Sequence, residues 1–480
     1  MNRPIRRTSI VALIMFGLLL VNCTWFMVFR ENQLDARSDN RRMRDEEFGQ
    51  NRGAILVGNT PVAITEPTDD RFRYQRSYPQ ASLYAPITGW YAFDYGTSGL
   101  ELTFNSQLAG TDDSLLVRRI LDIVTNRMPT GATVQTTINA KAQETAYEAI
   151  GDRKGAVVAM DAKTGAVLAL VSTPSYDPNK LASHDIGADG TASKAWRQLN
   201  DDPDRPLANR AAREIYPPGS TFKLVTAAAA LENGSDPKQL WDSPEKLRLP
   251  GTETDLPNES PCGGAKITLE QALKVSCNTA FANVGLSLGA DKLRTQAEKF
   301  GFGSRQLLDL NGAISRFPDN PNASQVALSA IGQFDVAASP LQMAMVTAGI
   351  ANDGVVMKPY LVSGIRGTDL SLVSQTRPEK LSEAMTPEHA RTLQGWMQTV
   401  VNSGTGVNGK IDGVEVGGKT GTANTTPDKP PYAWYTSYAR SGDRTIAVTV
   451  FIEEADIDRN DISGGRLAAP IAKSVLESLL

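Results

Sequence analysis

Residues 10–29 run for 20 positions without a charged side chain, from Ile10 through Leu18, Leu19 and Leu20 to Phe29. As a helix that run is ~30 Å long, enough to cross the hydrocarbon of a bilayer. Trp25 and Phe26 stand near one end, where aromatic rings suit a membrane interface. Arg3, Arg6 and Arg7 precede the run, and no acid occurs among the first eight residues. A cleaved signal peptide fits less well, because its apolar core is roughly 7–15 residues and a small-x-small site should follow. A lipoprotein signal at Leu20-Val21-Asn22-Cys23 would put Asn22, a poor residue there, just before the acylated cysteine. The expectation is a signal anchor, with a cytoplasmic tail over 1–8 and a span over 9–30. Arg30, Arg37, Arg41, Arg42 and Arg44 follow the span, so Lys/Arg counting alone does not orient it. The signal-anchor layout favours an inside N-terminus and an extracytoplasmic remainder.

The remainder is long enough for more than one domain, since the chain has 480 residues. Hydrophobic residues make up 41% and charged residues 21%, a globular rather than a disordered balance. Lys+Arg 49 against Asp+Glu 53 gives a net charge of −4, leaving no basic excess for nucleic acid. The only histidines are His184 and His389, and the only cysteines Cys23, Cys262 and Cys277. That argues against a zinc site and leaves a Ser-His-Asp hydrolase two histidines, neither in a recognisable setting. Acid–base chemistry here is expected to run on Lys, Ser, Asp or Glu.

Residues 31–47 carry dense charge of both signs and read as a solvated helix or stalk. From Arg52-Gly53-Ala54-Ile55-Leu56 to about Gly131, short β-like pieces are broken by Gly, Pro and Asn, which predicts a small, mostly β domain over 31–131. Residues 133–138 predict a strand and 140–150 a helix stopped by Gly151. Residues 155–161 and 166–171 are apolar runs around Ala162-Lys163-Thr164-Gly165, which predicts a hairpin central to a sheet covered on both faces. Residues 177–209 lack periodicity and read as a long loop.

Tyr216-Pro217-Pro218-Gly219-Ser220-Thr221-Phe222-Lys223 runs into an Ala/Leu-rich helical stretch that Asn233-Gly234 stops. Ser220 therefore sits at a helix N-terminus, with Lys223 about one turn away on the same face. A serine hydroxyl is a weak nucleophile until a base takes its proton, and a lysine can be that base if burial depresses its pKa. Ser235 with Lys238 and Ser243 with Lys246 repeat the spacing, but proline separates each pair and no apolar helix follows. Ser276 and Asn278 follow the helical text 269–275 and can present a hydroxyl and an amide from its end. Ser38-Asp39-Asn40 repeats that spacing within the charged run. Residues 414–423 predict an extended strand in which Gly417, Gly418 and Gly421 admit a neighbouring backbone or ligand. Lys419, Thr420 and Thr422 supply a cation and hydroxyls suited to a carboxylate, on a strand edge that can pair with a peptide. Lys163-Thr164-Gly165 has the same letters but reads as a turn.

Ser220-x-x-Lys223, Ser276-x-Asn278 and Lys419-Thr420-Gly421, in that order and 56 and 143 residues apart, resemble the motifs of the penicilloyl serine transferase superfamily. Flanking text such as Asn209-Arg210, Gly332-Gln333, Ser339-Pro340-Leu341-Gln342 and Gly404-Thr405-Gly406 is similar too, so the resemblance covers about 132–480. The anchor, Arg52-Gly53-x-Ile55 and a modest N-terminal domain resemble a class B, monofunctional penicillin-binding protein of the short actinobacterial type. Leu56-Val57-Gly58-Asn59 departs from the usual Asp-Arg-Asn-Gly continuation. Glu46-Glu47-Phe48 slightly echoes a glycosyltransferase motif, but too little chain precedes the hairpin for the bifunctional class.

The resemblance implies an α+β fold: a central antiparallel sheet flanked by helices with an all-helical subdomain, over 132–480. It implies a D,D-transpeptidase that cross-links stem peptides ending in D-Ala-D-Ala, in cell-wall synthesis linked to shape and division, and is inhibited by β-lactams. Ser220 would be the nucleophile, Lys223 the base and Ser276 a proton relay. Asn278, Lys419, Thr420, Gly421 and Thr422 would bind substrate, with the backbone amides of Ser220 and Thr422 as the oxyanion hole. No metal or organic cofactor is implied. Expected partners are stem peptides, β-lactams and the membrane, with a membrane glycosyltransferase and division proteins beside them. Cys262 and Cys277, 15 residues apart, are compatible with a disulfide in that compartment. The alternatives are a D,D-carboxypeptidase, a β-lactamase, and a β-lactam sensor or non-catalytic division scaffold.

Overall fold

The computed structural model describes residues 3–29, 45, 48–112, 130–369, 371–423 and 430–480. The charged stalk expected over 31–47, with Ser38-Asp39-Asn40 and Glu46-Glu47, falls outside them apart from Asp45. Arg3–Phe29 is one helix, and its stretch Pro4–Trp25 has a mean hydropathy of 1.9 with none of it buried. By length and composition this helix is able to cross a bilayer.

Contacts divide the chain into two units, Met1–Gln50 with Pro67–Gln75, and Asn51–Glu66 with Arg76–Leu480. Five antiparallel strands organise the second, in the order Glu415–Ala423, Tyr432–Ser441, Arg444–Glu454, Lys154–Asp161, Val167–Thr173. The expected hairpin forms, but at one end of this sheet; Arg444–Glu454 is its centre and Val167–Thr173 its edge. Both hairpin strands are nevertheless covered on both faces, because successive side chains enter two different cores. Ala156, Val158 and Met160 join one core with Met343, Val346 and Ile350 of the wholly buried helix Pro340–Ala351. Val157 and Ala159 join the other with Ala146 of helix Ala140–Ile150 and Val475 of helix Ala469–Leu479. The apolar run therefore reported two-sided burial correctly and position in the sheet incorrectly, since burial comes from helices rather than from flanking strands.

The segment before the hairpin carries strands Ile55–Val57 and Thr60–Pro67 and, besides them, helices Ala81–Thr88, Gly99–Thr103 and Asn105–Ala109. Ile55–Val57 lies parallel to Thr133–Thr136, which pairs on its other side with Val362–Arg366. One mixed sheet thus joins the N-terminal strands to chain from near the C-terminal half. Arg52 explains its motif here: it is buried, and its guanidinium donates to Glu101 Oε2 at 2.7 Å and covers the Tyr91 ring at 4.0 Å. Arg76 donates to the other Glu101 oxygen at 2.5 Å.

Residues 177–209 hold the helix Thr191–Asp201, where a loop is expected. Only Ala192, Ser193 and Ala195 are buried, and Trp196 stacks on Tyr95 at 4.7 Å. Ala192, Ala195, Trp196 and Leu199 do recur at helical spacing, but the period lasts only two turns between Asp-, Gly- and Pro-rich flanks that read as loop. Lys163-Thr164-Gly165 is a turn: Asp161 Oδ1 accepts from the amides of Lys163 and Thr164, and Gly165 has φ 84°.

Candidate active site

Ser220 lies in a single 3-10 turn, Gly219–Phe222, and the α-helix proper begins at Lys223 and ends at Glu232. The turn is wedged between the edge strand Glu415–Ala423 and the loop at Gly332, and three glycines make that fit possible. Gly219 has φ 52°, and its amide donates to Gly332 O at 3.0 Å. A Cβ on Gly332, itself at φ 72°, would stand 2.1 Å from Gly219 O. A Cβ on Gly421 would stand 2.9 Å from the Thr221 methyl. Glycine is the one residue that admits backbone this close to backbone.

Helix Leu269–Val275 ends at Ser276, whose φ of 61° puts a non-glycine residue in the left-handed region. Such strain persists where surroundings over-determine it, and it collects at functional sites. That turn points Ser276 and Asn278 towards Lys223. Lys223 Nζ donates to Ser276 O at 2.8 Å, to Asn278 Oδ1 at 2.8 Å and to Ser276 Oγ at 3.2 Å. Lys419 Nζ donates to the same Ser276 Oγ at 2.9 Å and to Thr420 O at 2.8 Å. Two lysines, both fully buried, thus converge on one hydroxyl, with Ser220 7% exposed beside them. Ser220 Oγ is not among the partners of Lys223, a looseness common before substrate arrives.

Burial, and next the like charge of Lys419, hold Lys223 well below the ordinary lysine range, while Glu259 opposes the shift. Burial pulls Lys419 down to about 7, again against Glu259. Charge is expensive in this enclosed site, so Lys223 is available as a neutral base.

The structure brings together Ser220, Lys223, Ser276, Asn278 and Lys419. Thr420 and Thr422 follow on the strand, with Thr422 lining one cleft with Ser220 and Asn278. Thr420 Oγ1 meets Thr405 Oγ1 at 2.6 Å. Cys262 and Cys277 are joined by a disulfide with Cα atoms 5.4 Å apart, which ties the loop before Ser276 to its neighbour. Tyr432 and Trp434 pack on Phe451, Trp434 at 4.5 Å, and Trp434 is fully buried. His389 bonds Glu232, at the C-terminal end of the helix Lys223–Glu232.

Two supporting residues have no signal of their own in the sequence. Asn258 Oδ1 accepts from the amides of Asn278 and Thr279, and so caps the helix Asn278–Leu288 that carries Asn278. Its Nδ2 donates to Pro244 O. The second is Thr405, whose amide donates to Lys274 O, so that one residue links the end of the Ser276 helix to Thr420. Gly404-Thr405-Gly406 marks the latter only through the resemblance, and a lone Asn twenty residues from its partner marks nothing.

A buried serine, two depressed lysines and a strand edge that no other described strand pairs with suit acyl transfer through a serine ester. A family model described as the penicillin binding protein transpeptidase domain matches residues 155–477, and one described as the penicillin binding protein A dimerisation domain matches 52–134. The chain is 42% identical to a peptidoglycan D,D-transpeptidase PbpA of Mycolicibacterium smegmatis, over all of this chain and 99% of the relative. It is 40% identical to the protein of that name in Mycobacterium tuberculosis, again over 100% and 99%. The solved ceftriaxone acyl-enzyme complex of penicillin-binding protein A from M. tuberculosis superposes with a TM-score of 0.87 at 40% identity, covering 91% of this chain and 100% of that one. The chain belongs to the penicillin-binding protein transpeptidase family.

Proposed function

We propose that this chain is a peptidoglycan D,D-transpeptidase acting through a Ser220 acyl-enzyme. The observation that carries the residue roles is the convergence of Lys223 and Lys419 on Ser276 beside Ser220. Ser220 attacks the penultimate D-Ala carbonyl, and Lys223 takes its proton. Ser276 passes a proton towards the leaving D-Ala amine, with Lys419 holding its hydroxyl. Asn278 orients the substrate amide. Lys419, Thr420 and Thr422 face the terminal carboxylate, Gly421 lets the nucleophile turn approach, and the peptide extends the edge of Glu415–Ala423, which pairs with no other described strand on that side. The amides of Ser220 and Thr422 hold the oxyanion, each donor being worth about 3–4 kcal/mol. A neighbouring stem amine then takes the acyl group; water taking it instead is the carboxypeptidase reading, which uses the same residues. β-Lactams resemble the acylating substrate and trap Ser220.

The domain reading follows: a cytoplasmic tail over 1–8, a span over 9–30, a pedestal over 31–131 and the transpeptidase over 132–480. The substrate lies outside the cell, so the N-terminus is inside. A membrane glycosyltransferase and division proteins are the partners proposed for the pedestal. The test of the site is covalent labelling by a fluorescent penicillin: the full chain is labelled and Ser220→Ala is not. Persistent labelling of the variant would refute the assignment.

A further inference from the structure

The cleft in front of Ser220 encloses about 280 Å³ and extends beyond the groups that acyl transfer uses. Leu256, Leu328, Ile331 and Phe334 give that extension apolar walls, and Glu259 is the single carboxylate or amine among the described residues lining the cleft. Two residues there belong neither to the hydrophobic core nor to the groups assigned to acyl transfer.

The first is Phe334. Its φ of 61° is a conformation that bulky residues seldom adopt, and the residue remains 41% exposed. The chain thus accepts backbone strain while leaving an aromatic side chain out of the core, in the mouth of the cleft. The second is Glu259. It is exposed, it makes no ion pair among the described residues, and it follows Asn258, whose amide is fixed on the helix that carries Asn278. Its carboxylate acts on both Lys223 and Lys419, so its field reaches the reaction centre.

An aromatic face and a carboxylate between aliphatic walls are the parts of a site for an ammonium on an apolar stem. The amine that resolves the acyl-enzyme arrives in that form, because a primary alkylamine is protonated at neutral pH. The donor terminus is anionic, and a carboxylate opposite it sorts the two substrates by charge. We propose that Glu259 and Phe334 form the acceptor subsite, taking the primary ammonium of an incoming peptide on an aliphatic side chain; this rests on the transpeptidase reading above. Once seated, the ammonium releases one proton to solvent. The nitrogen lone pair forms the C–N bond with the acyl carbon, the bond from that carbon to Ser220 Oγ breaks, and the second N–H proton returns to Ser220 Oγ through Lys223.

The test is the partition of one acyl-enzyme, which does not depend on how fast it forms. The full chain, in detergent, is given a D-alanyl thioester donor, with Nα-acetyl-lysinamide as acceptor against water. Glu259→Gln and Phe334→Ala each lower the ratio of amide to hydrolysis product by roughly three- to tenfold at fixed sub-saturating acceptor. Glu259→Asp retains most of the ratio. With methanol, a neutral acceptor, Glu259→Gln leaves the ratio of ester to hydrolysis product unchanged. A lysinamide ratio unchanged in Glu259→Gln, or an equal fall with methanol, would overturn the subsite. Should Phe334→Ala fail to accept a fluorescent penicillin, the exposed Glu259 position carries the test alone. Absence of any acyl-enzyme in the unaltered chain would remove the transpeptidase reading instead.

Discussion

At the scale of single residues, the site is governed by the exclusion of water from two cations. Lys223 and Lys419 have no exposed surface, and burial is the largest cause of depression for both. The second cause for Lys223 is the like charge of Lys419, which has a directional consequence. In the proposed mechanism Lys223 accepts the Ser220 proton only when neutral, so penicillin acylation is expected to rise with pH as Lys223 loses its own proton. Lys419→Met removes the repulsion and keeps much of the volume. Protonated Lys223 is then less disfavoured, its pKa rises, and the acid limb of the acylation rate moves to higher pH. Stopped-flow acylation across pH reads that limb, and a limb that stays or moves down would contradict the coupling. The Ser, Lys and Asn types are legible in the sequence through their spacing and helical context, with both histidines outside any recognisable setting. Asn258 and Thr405 were not, since a hydrogen bond made across a fold leaves no spacing to read.

At the scale of elements, the nucleophile turn is held by what its neighbours lack. Gly332 stands where a side chain would strike the Gly219 carbonyl, and its φ of 72° already disfavours any other residue. Gly332→Ala is expected to destabilise the fold by about 1–3 kcal/mol and to displace Ser220, because backbone cannot yield as a flexible side chain can. Thermal unfolding measures the first effect and penicillin labelling rate the second; an unchanged rate would mean that the turn is set from elsewhere. The hairpin around Lys163 makes the complementary point. Its burial was legible because the apolar run is continuous, but its place at the sheet's end was not. Position in a sheet depends on pairing with Arg444–Glu454, nearly 300 residues away in the chain.

At the scale of the whole molecule, the apolar N-terminal helix and the packed remainder of the chain differ in burial. No residue of the apolar window in Pro4–Trp25 is buried, so its removal deletes no core contact. A chain lacking residues 1–30 is expected to leave the membrane fraction and to retain covalent penicillin labelling. Fractionation with in-gel fluorescence checks both, and loss of labelling would show that the span supports the site as well as tethering it. The buried Arg52–Glu101–Arg76 cluster lies far along the chain from Ser220, and it gives a local physical reason for a motif that the sequence presented only as a resemblance.

The sequence by itself determined the long apolar N-terminal helix, the side-chain types offered to the site and the helical stretch that Asn233-Gly234 stops, because length, composition and local periodicity are properties of short segments. Only the tertiary structure decided that Lys223 and Lys419 share the Ser276 hydroxyl, that glycine is required at Gly332, and that Glu259 and Phe334 face the same cleft as Ser220. Those facts depend on which distant segments exclude water together. No local pattern of residues carries that information, because desolvation and close approach arise only once the chain has packed.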